Sequence, residues 1–345
     1  MVIFIVSTIE AQDSSKKSDL TITGSADVYY KYDFGQSKYN NLTSFTGSHN
    51  SFELGMASAK LDYKTGKTEV VADLGFGKRA QEFSYNDEGI LAAIKQLYIT
   101  YTANGWLKFT AGSWATHVGY EVVDPNLNRN YSMSYMFTNG PFFHTGIKAE
   151  ASHKANGFMI GIANPTDFKY VPDGKINKKF LLAQYSYVPG DQFKAYINYV
   201  GGQNVDTSKS YQFDLVLTSK ISNEFSLGFN GTVNNTETYL GNKKFNVSKS
   251  WWGSALYVNF DPSSNFGLTL REEYFNDDNQ LKMFSSQLKG GSVFASTLSA
   301  NVKCDNLIFI PEFRFDNASE TLFTNKNGQP VKWSANVLFA LVYHF

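Results

Sequence analysis

From residue 20 onward the chain divides into sixteen stretches in which apolar and polar side chains alternate, and the connections between them are by turns short and long. Period two marks a strand with one apolar and one polar face, whereas a helix repeats near 3.6. Tyr211, Phe213, Leu215 and Leu217 share one face of a stretch whose other face carries Gln212, Asp214 and Thr218. The segments 193–199, 225–230, 266–271 and 307–314 repeat the arrangement. Each stretch has about ten residues, the length of a tilted strand that crosses a bilayer.

The connections decide between a soluble sandwich and a membrane barrel. Short ones fall at 64–67, 103–105, 154–156, 189–191, 221–223, 262–264 and 304–306, built from the Gly, Asn, Asp, Ser and Pro residues that tight hairpins favour. Long ones fall between them, at 34–49, 78–93, 115–142, 165–178, 202–208, 235–248, 276–289 and 317–330. A soluble sandwich gives no reason to place a long loop at every second connection. A bacterial outer-membrane barrel does, with short periplasmic turns and long outer loops. The predicted fold is therefore all-β: a transmembrane antiparallel up-and-down barrel of about sixteen strands over 20–345, or fourteen or eighteen if one hairpin is miscounted. A phase slip between Phe52-Leu54-Met56 and Ala57-Ala59-Leu61-Tyr63 predicts a bulge.

Composition agrees. Aromatic residues make up 16% of the 345, and charged residues only 18% against roughly a quarter in ordinary soluble domains. Lys+Arg and Asp+Glu balance at 31 each, which argues against a nucleic-acid binder. The single Cys304 excludes an internal disulfide framework. At the N-terminus, residues 1–11 read as an export signal with cleavage after Ala11, and 12–19 as a polar segment. That signal has no basic beginning, so the true start is expected upstream.

If the apolar set faces lipid, the other parity faces the interior. It includes Asp27, Asp73, Lys108, Lys194, Asp214, Arg271, Glu273, Glu312 and Arg314. Ionised groups need water or one another, and sixteen strands enclose room for water, so a wet lumen is expected. The longest loop, 115–142, is the candidate for folding inward, with Glu121, Asp124 and Arg129 as candidate selectivity residues; a loop packed over the mouth is the plainer alternative. His49, His117, His144, His153 and His344 show no metal-ligand spacing, and there is no phosphate loop or nucleophile elbow. No cofactor, metal or catalytic residue is assigned.

The chain closes on Val337, Phe339, Leu341, Tyr343 and Phe345 at alternate positions. This ending resembles the terminal strand of outer-membrane proteins, whose final aromatic is read by the barrel-assembly machinery. The resemblance marks Leu341, Tyr343 and Phe345 as an assembly signal. The opening strand from Ile22 through Asp27 and Tyr30 to Phe34, the run from Met133 through Tyr135, Phe137, Gly140 and His144 to Gly146, and the terminal strand together resemble the β-barrel porin family of Bacteroidetes-type outer membranes. The resemblance implies an outer-membrane porin, non-enzymatic, in contact with lipid and the assembly machinery, passing ions and small hydrophilic solutes, with a homotrimer left open. A barrel with a plugged lumen that binds a partner, a secretion component and a barrel hydrolase are the alternatives, and a soluble sandwich is the weakest.

Overall fold

The computed structural model describes residues 18–345 except residue 243, so the expected export signal lies outside the described residues. The strands are β1 (Ser18–Asp33), β2 (Ser51–Thr65), β3 (Thr68–Phe76), β4 (Ile94–Asn104), β5 (Leu107–Ala115), β6 (Phe143–His153) and β7 (Asn156–Ala163). There follow β8 (Phe180–Tyr187), β9 (Phe193–Gln203), β10 (Lys209–Lys220) and β11 (Phe225–Glu237), then a small ribbon of β12 (Tyr239–Gly241) and β13 (Lys244–Phe245). The chain continues through β14 (Lys249–Ser263), β15 (Phe266–Asp277), β16 (Gly291–Cys304) and β17 (Leu307–Ala318), a second ribbon of β18 (Phe323–Thr324) and β19 (Pro330–Val331), and β20 (Trp333–His344).

Apart from the two ribbons, these strands form one closed barrel of sixteen, each pairing antiparallel with its neighbours in sequence. β20 returns to β1, with Ser25 opposite His344 and Asp33 opposite Asn336. Closure removes the row of unpaired N–H and C=O groups that a sheet edge would present to lipid. The final residue extends this seam: Phe345 and Gly24 exchange two backbone hydrogen bonds of 3.0 and 3.1 Å. Glycine suits this seam because a Cβ would fall 2.5 Å from the backbone carbonyl oxygen of Ser58 on the neighbouring strand.

The short turns lie on one rim, and Gly66, Lys154 and Asp305 take the left-handed φ that tight hairpins demand, at 58°, 52° and 51°. One connection read as long is itself tight: β9 runs further than the alternation suggests, to Gln203, leaving 204–208 as a turn closed by Asn204 N–H to Ser208 O at 2.8 Å. The expected bulge is present. Gly55 and Met56 together face Asp27, and the Met56 N–H donates to Asp27 Oδ1 at 3.0 Å. A Cβ on Gly55 would fall 1.6 Å from Asp27 Oδ2, so only glycine fits opposite that carboxylate.

The two faces separate as the alternation requires. Phe213, Ile197, Phe294, Phe313, Phe339 and Leu341 are exposed outward, while Asp214, Asn198, Ala295, Arg314, Leu338 and Ala340 are buried inward. What fills the interior around these inward residues is the chain's own loops.

Candidate functional site

The loop at 116–142 enters the barrel. Its apolar residues Tyr131, Met133, Tyr135 and Met136 are buried. Tyr135 and Met136 pack with Trp251 and Tyr257 of β14 and Phe275 of β15, while Tyr131 joins Tyr29, Ile308, Ile310 and Leu338 on the wall. A short helix, α1 (Lys78–Phe83), and the loop after β1 pack behind it through Phe83 and Phe45, against Met133, Phe137 and Phe142. A second helix, α2 (Tyr135–Asn139), begins inside the loop and is capped by Ser134, whose hydroxyl accepts from Phe137 N–H at 3.0 Å.

An irregular backbone inside a barrel has no ladder to satisfy its polar groups, so side chains must do so. Here the wall supplies them with charge. The N–H groups of Tyr131 and Ser132 donate to Glu312 at 2.8 and 3.1 Å, and those of Tyr135 and Met136 donate to Glu273, each at 3.0 Å. In return Arg271 donates to Ser132 O at 2.8 Å and Arg314 to Met133 O at 2.7 Å. Arg79 of α1 donates to the carbonyls of Val123 and Tyr131 at 3.1 and 3.3 Å. Burial holds the Tyr131 phenol well above its usual range, so it stays protonated and donates to Asp27 at 2.5 Å. Hydrogen bonds with one ionised partner are about twice as strong as neutral ones, and these fix the loop at several points along its length.

The three candidate selectivity residues on the loop each meet a wall residue. Glu121 pairs with Arg271 at 2.5 Å and accepts from Ser134 N–H at 2.8 Å. Asp124 pairs with Lys95, which also reaches Asp73 at 3.1 Å. Arg129 forms a two-pronged pair with Asp261, one arm at 2.8 Å. Asp214 accepts from Gly119 N–H at 3.0 Å and from Asn198 and Asn230 at 2.8 and 2.6 Å, and Arg314 pairs with Asp316 at 2.8 Å. Of the nine candidate lumen residues, Asp27, Asp73, Asp214, Arg271, Glu273, Glu312 and Arg314 are thus gathered under or beside the loop. Lys108 and Lys194 are not. Lys108 lies on a separate sector with Lys148 and Glu150, beside a cavity of about 260 Å³ that Thr102, Gln184 and Ser186 also line.

At mid-height the loop's first residues cross that same sector. Val118 packs with Trp114, Met159, Leu182 and Val200, and Gln184 donates to His117 O at 3.4 Å. Burial pushes the His117 imidazole down to about 4, which keeps it neutral at physiological pH. On the side of the long loops a second cavity, of about 420 Å³, is lined by Tyr85, Asn139, Asp167, Gln212 and Lys282. The two cavities thus lie on opposite sides of this crossing, one toward the short turns and one toward the long loops.

Several residues that bond to the loop escape a sequence reading: Arg79, Lys95, Asp167, Asp261 and Asp316. Asp167 accepts from Phe142 and Phe143 N–H at 2.7 and 3.0 Å, closing the loop's far end. Asp261 and Asp316 had a readable signal, because they continue the inward parity of Asn259 and Arg314. So did the loop itself: Tyr131, Met133, Tyr135, Met136 and Phe137 form an apolar run that an outer loop in water has no use for.

Comparison with known proteins follows this geometry. Residues 19–345 match the model of the family described as "Putative beta-barrel porin-2, OmpL-like". The chain belongs to this porin family. It is a channel of the bacterial outer membrane for passive diffusion. No curated protein sequence matches the chain. Among solved structures, this porin is similar to the anion-selective porin from Comamonas acidovorans, at a TM-score of 0.65 and 10% identity over 95% of this chain and 100% of that one. It is also similar to OmpT of Vibrio cholerae, at 0.63 and 10% identity over 95% and 98%, and to the channel DcaP of Acinetobacter baumannii, at 0.62 and 11% over 95% and 97%. One form of the Vibrio protein is described as a trimer. At such identities these likenesses concern the fold.

Proposed function

We propose that ions and small hydrophilic solutes cross this porin through a lumen whose narrowest part is set by the loop at 116–142, and that Glu121, Asp124 and Arg129 act by holding that loop on the wall. The observation that carries the reading is the exchange between loop backbone and Glu273, Glu312, Arg271 and Arg314, which anchors the loop inside the barrel instead of over its mouth. Because these acids and arginines are engaged in holding a loop, they support a channel and not an enzyme.

A second reading draws on the same seated loop: a barrel that binds or helps assemble a partner at its loop rim and conducts little. Planar-bilayer recording of the detergent-purified protein separates the two. Discrete conductance steps are expected from the porin, and none from a plugged barrel. Replacing Glu121, Asp124 and Arg129 together by Gln, Asn and Gln is expected to raise the conductance and shift the reversal potential in a salt gradient. If neither quantity moves, the three residues have no part in the constriction.

The terminal strand supports a further part of the proposal. Leu341, Tyr343 and Phe345 point outward at alternate positions, exposed for recognition by the barrel-assembly machinery before lipid or a second copy of the barrel covers them. Deleting Phe345 is expected to lower the amount of barrel assembled in cells several-fold while leaving refolding into detergent micelles largely intact. Equal loss in both assays would mean that the residue acts only through its seam with Gly24.

A further inference from the structure

The inner wall divides its charges unevenly. Across β14 to β17 the carboxylates and arginines are buried under the loop and paired with it. From β5 to β10, on the side of the short turns, the inward parity carries Lys108, Lys148, Lys194 and Lys220 against one carboxylate that is not buried, Glu150. Both Lys108 and Lys148 reach the same oxygen of Glu150, at 3.5 and 3.2 Å. One carboxylate therefore serves two ammonium groups, leaving a net positive charge in that trio. Lys194 and Lys220 form no ion pair among the described residues, and Asp214, the remaining acid of this sector, is buried beneath Gly119, Asn198 and Asn230.

Lys108 stands at the start of a route that leads inward, and Lys194 lies on β9 of the same sector. Lys108 and Glu150 border the 260 Å³ cavity, and Lys148, paired with Glu150, lies over the face of Trp114, 5.2 Å from the ring centroid. There Trp114 Nε1, His117 Nδ1 and His144 Nδ1 have no hydrogen-bond partner among the described residues. A water-filled neck between low-dielectric walls concentrates the field of such charges, and the field is screened over about 10 Å at 0.1 M salt but only about 3 Å at 1 M.

We propose that Lys108, Lys148 and Lys194 make this porin select small anions, entering or leaving through the vestibule on the side of the short turns, with Glu150 as the residue that tempers the preference. The proposal rests on the channel reading above and names its solute class. An anion loses part of its hydration in the neck and regains attraction from ammonium groups that have no carboxylate of their own. A cation meets Glu150, already engaged twice, and on the neighbouring strands Asp62 and Glu69, both held by Lys64.

The test is the reversal potential of the purified protein in a planar bilayer under a potassium chloride gradient, at low and at high salt. In dilute salt a chloride-over-potassium permeability ratio of about 3 or more is expected, falling toward unity in molar salt as screening takes hold. Replacing Lys108, Lys148 and Lys194 together by Glu is expected to invert the sign of the potential. Glu150→Gln, a small isosteric change that keeps the proposal open to test if the triple variant fails to fold, is expected to increase the anion preference. Conductance steps with a potassium preference, or a potential that neither variant moves, would overturn the assignment of these lysines while leaving the channel intact. A folded barrel with no steps at all would overturn the channel reading itself, and this inference with it.

Discussion

Single-channel conductance is expected to rise several-fold when residues 121–136 are replaced by a flexible glycine-serine linker. A sixteen-strand barrel encloses enough room for an aqueous channel, so what limits flow is what stands inside it. The excised segment carries Glu121, Asp124, Arg129, Tyr131 and Tyr135, and with them most of the contacts that bring the loop onto β14 to β17. The backbone ladder of the wall is untouched, because no barrel pairing uses these residues. Glu273, Glu312, Arg271 and Arg314 would exchange the loop's peptide groups for water, which solvates them well, so no charge is left both buried and unpaired. The retained cost is the exposure of Trp251, Tyr257 and Phe275 to the lumen. Heat-modified migration on a gel checks that the barrel still forms. A folded variant whose conductance stays within about twofold of the parent would show that the constriction lies elsewhere, given the width that sixteen strands allow.

Arg271→Leu has the next largest expected effect, and acts through the same loop without removing it. Arg271 is fully buried, pairs with Glu121, bonds Ser132 O and Thr297 Oγ1 at 2.8 and 3.2 Å, and lies among carboxylates that include Glu273. Removing it leaves two acids in a low-dielectric interior without their nearest cation, a loss of about 3–5 kcal/mol for a buried pair broken on one side. Among the dozen or so charge-assisted bonds that hold the loop, this removes those centred on Glu121 and Ser132, enough to free that stretch for part of the time. The expected signs are large, flickering conductance increments and faster proteolytic cleavage between 121 and 136. The double variant Glu121→Gln with Arg271→Leu is expected to recover part of the loss, since a neutral amide at 121 keeps the bond to Ser134 N–H without a stranded charge. Quiet, wild-type recordings and unchanged protease resistance from the single variant would sink the assignment of Arg271 as the loop's main anchor.

The sequence by itself determined the wall. Alternation in stretches such as 211–218 and 266–271 assigns each side chain to lipid or lumen, because a one-residue slip would turn every apolar group to the wrong face. The alternation of short and long connections implies the antiparallel meander, its two rims and a strand number of about sixteen, since each strand must reach the opposite rim before the chain can turn. Even the irregularity at Gly55 and Met56 was legible as a change of parity. These features depend on periodicity along the chain, and periodicity is a local property.

Only the tertiary structure decided what stands inside. Glu121 meets Arg271 across 150 positions and Arg129 meets Asp261 across 132, and no local pattern marks either pair. Inward parity says that Arg271, Glu273, Glu312 and Arg314 face the lumen, but not whether water or peptide groups will satisfy them. The loop settles that question by carrying apolar side chains that lose less by entering the barrel than by staying in water, and by offering peptide groups to the charges already there. The division of the lumen follows from where that loop lands. It covers the acids and arginines of β14 to β17 and leaves Lys108, Lys148 and Lys194 beside Glu150, so a chain with no net charge carries a positive sector in its channel.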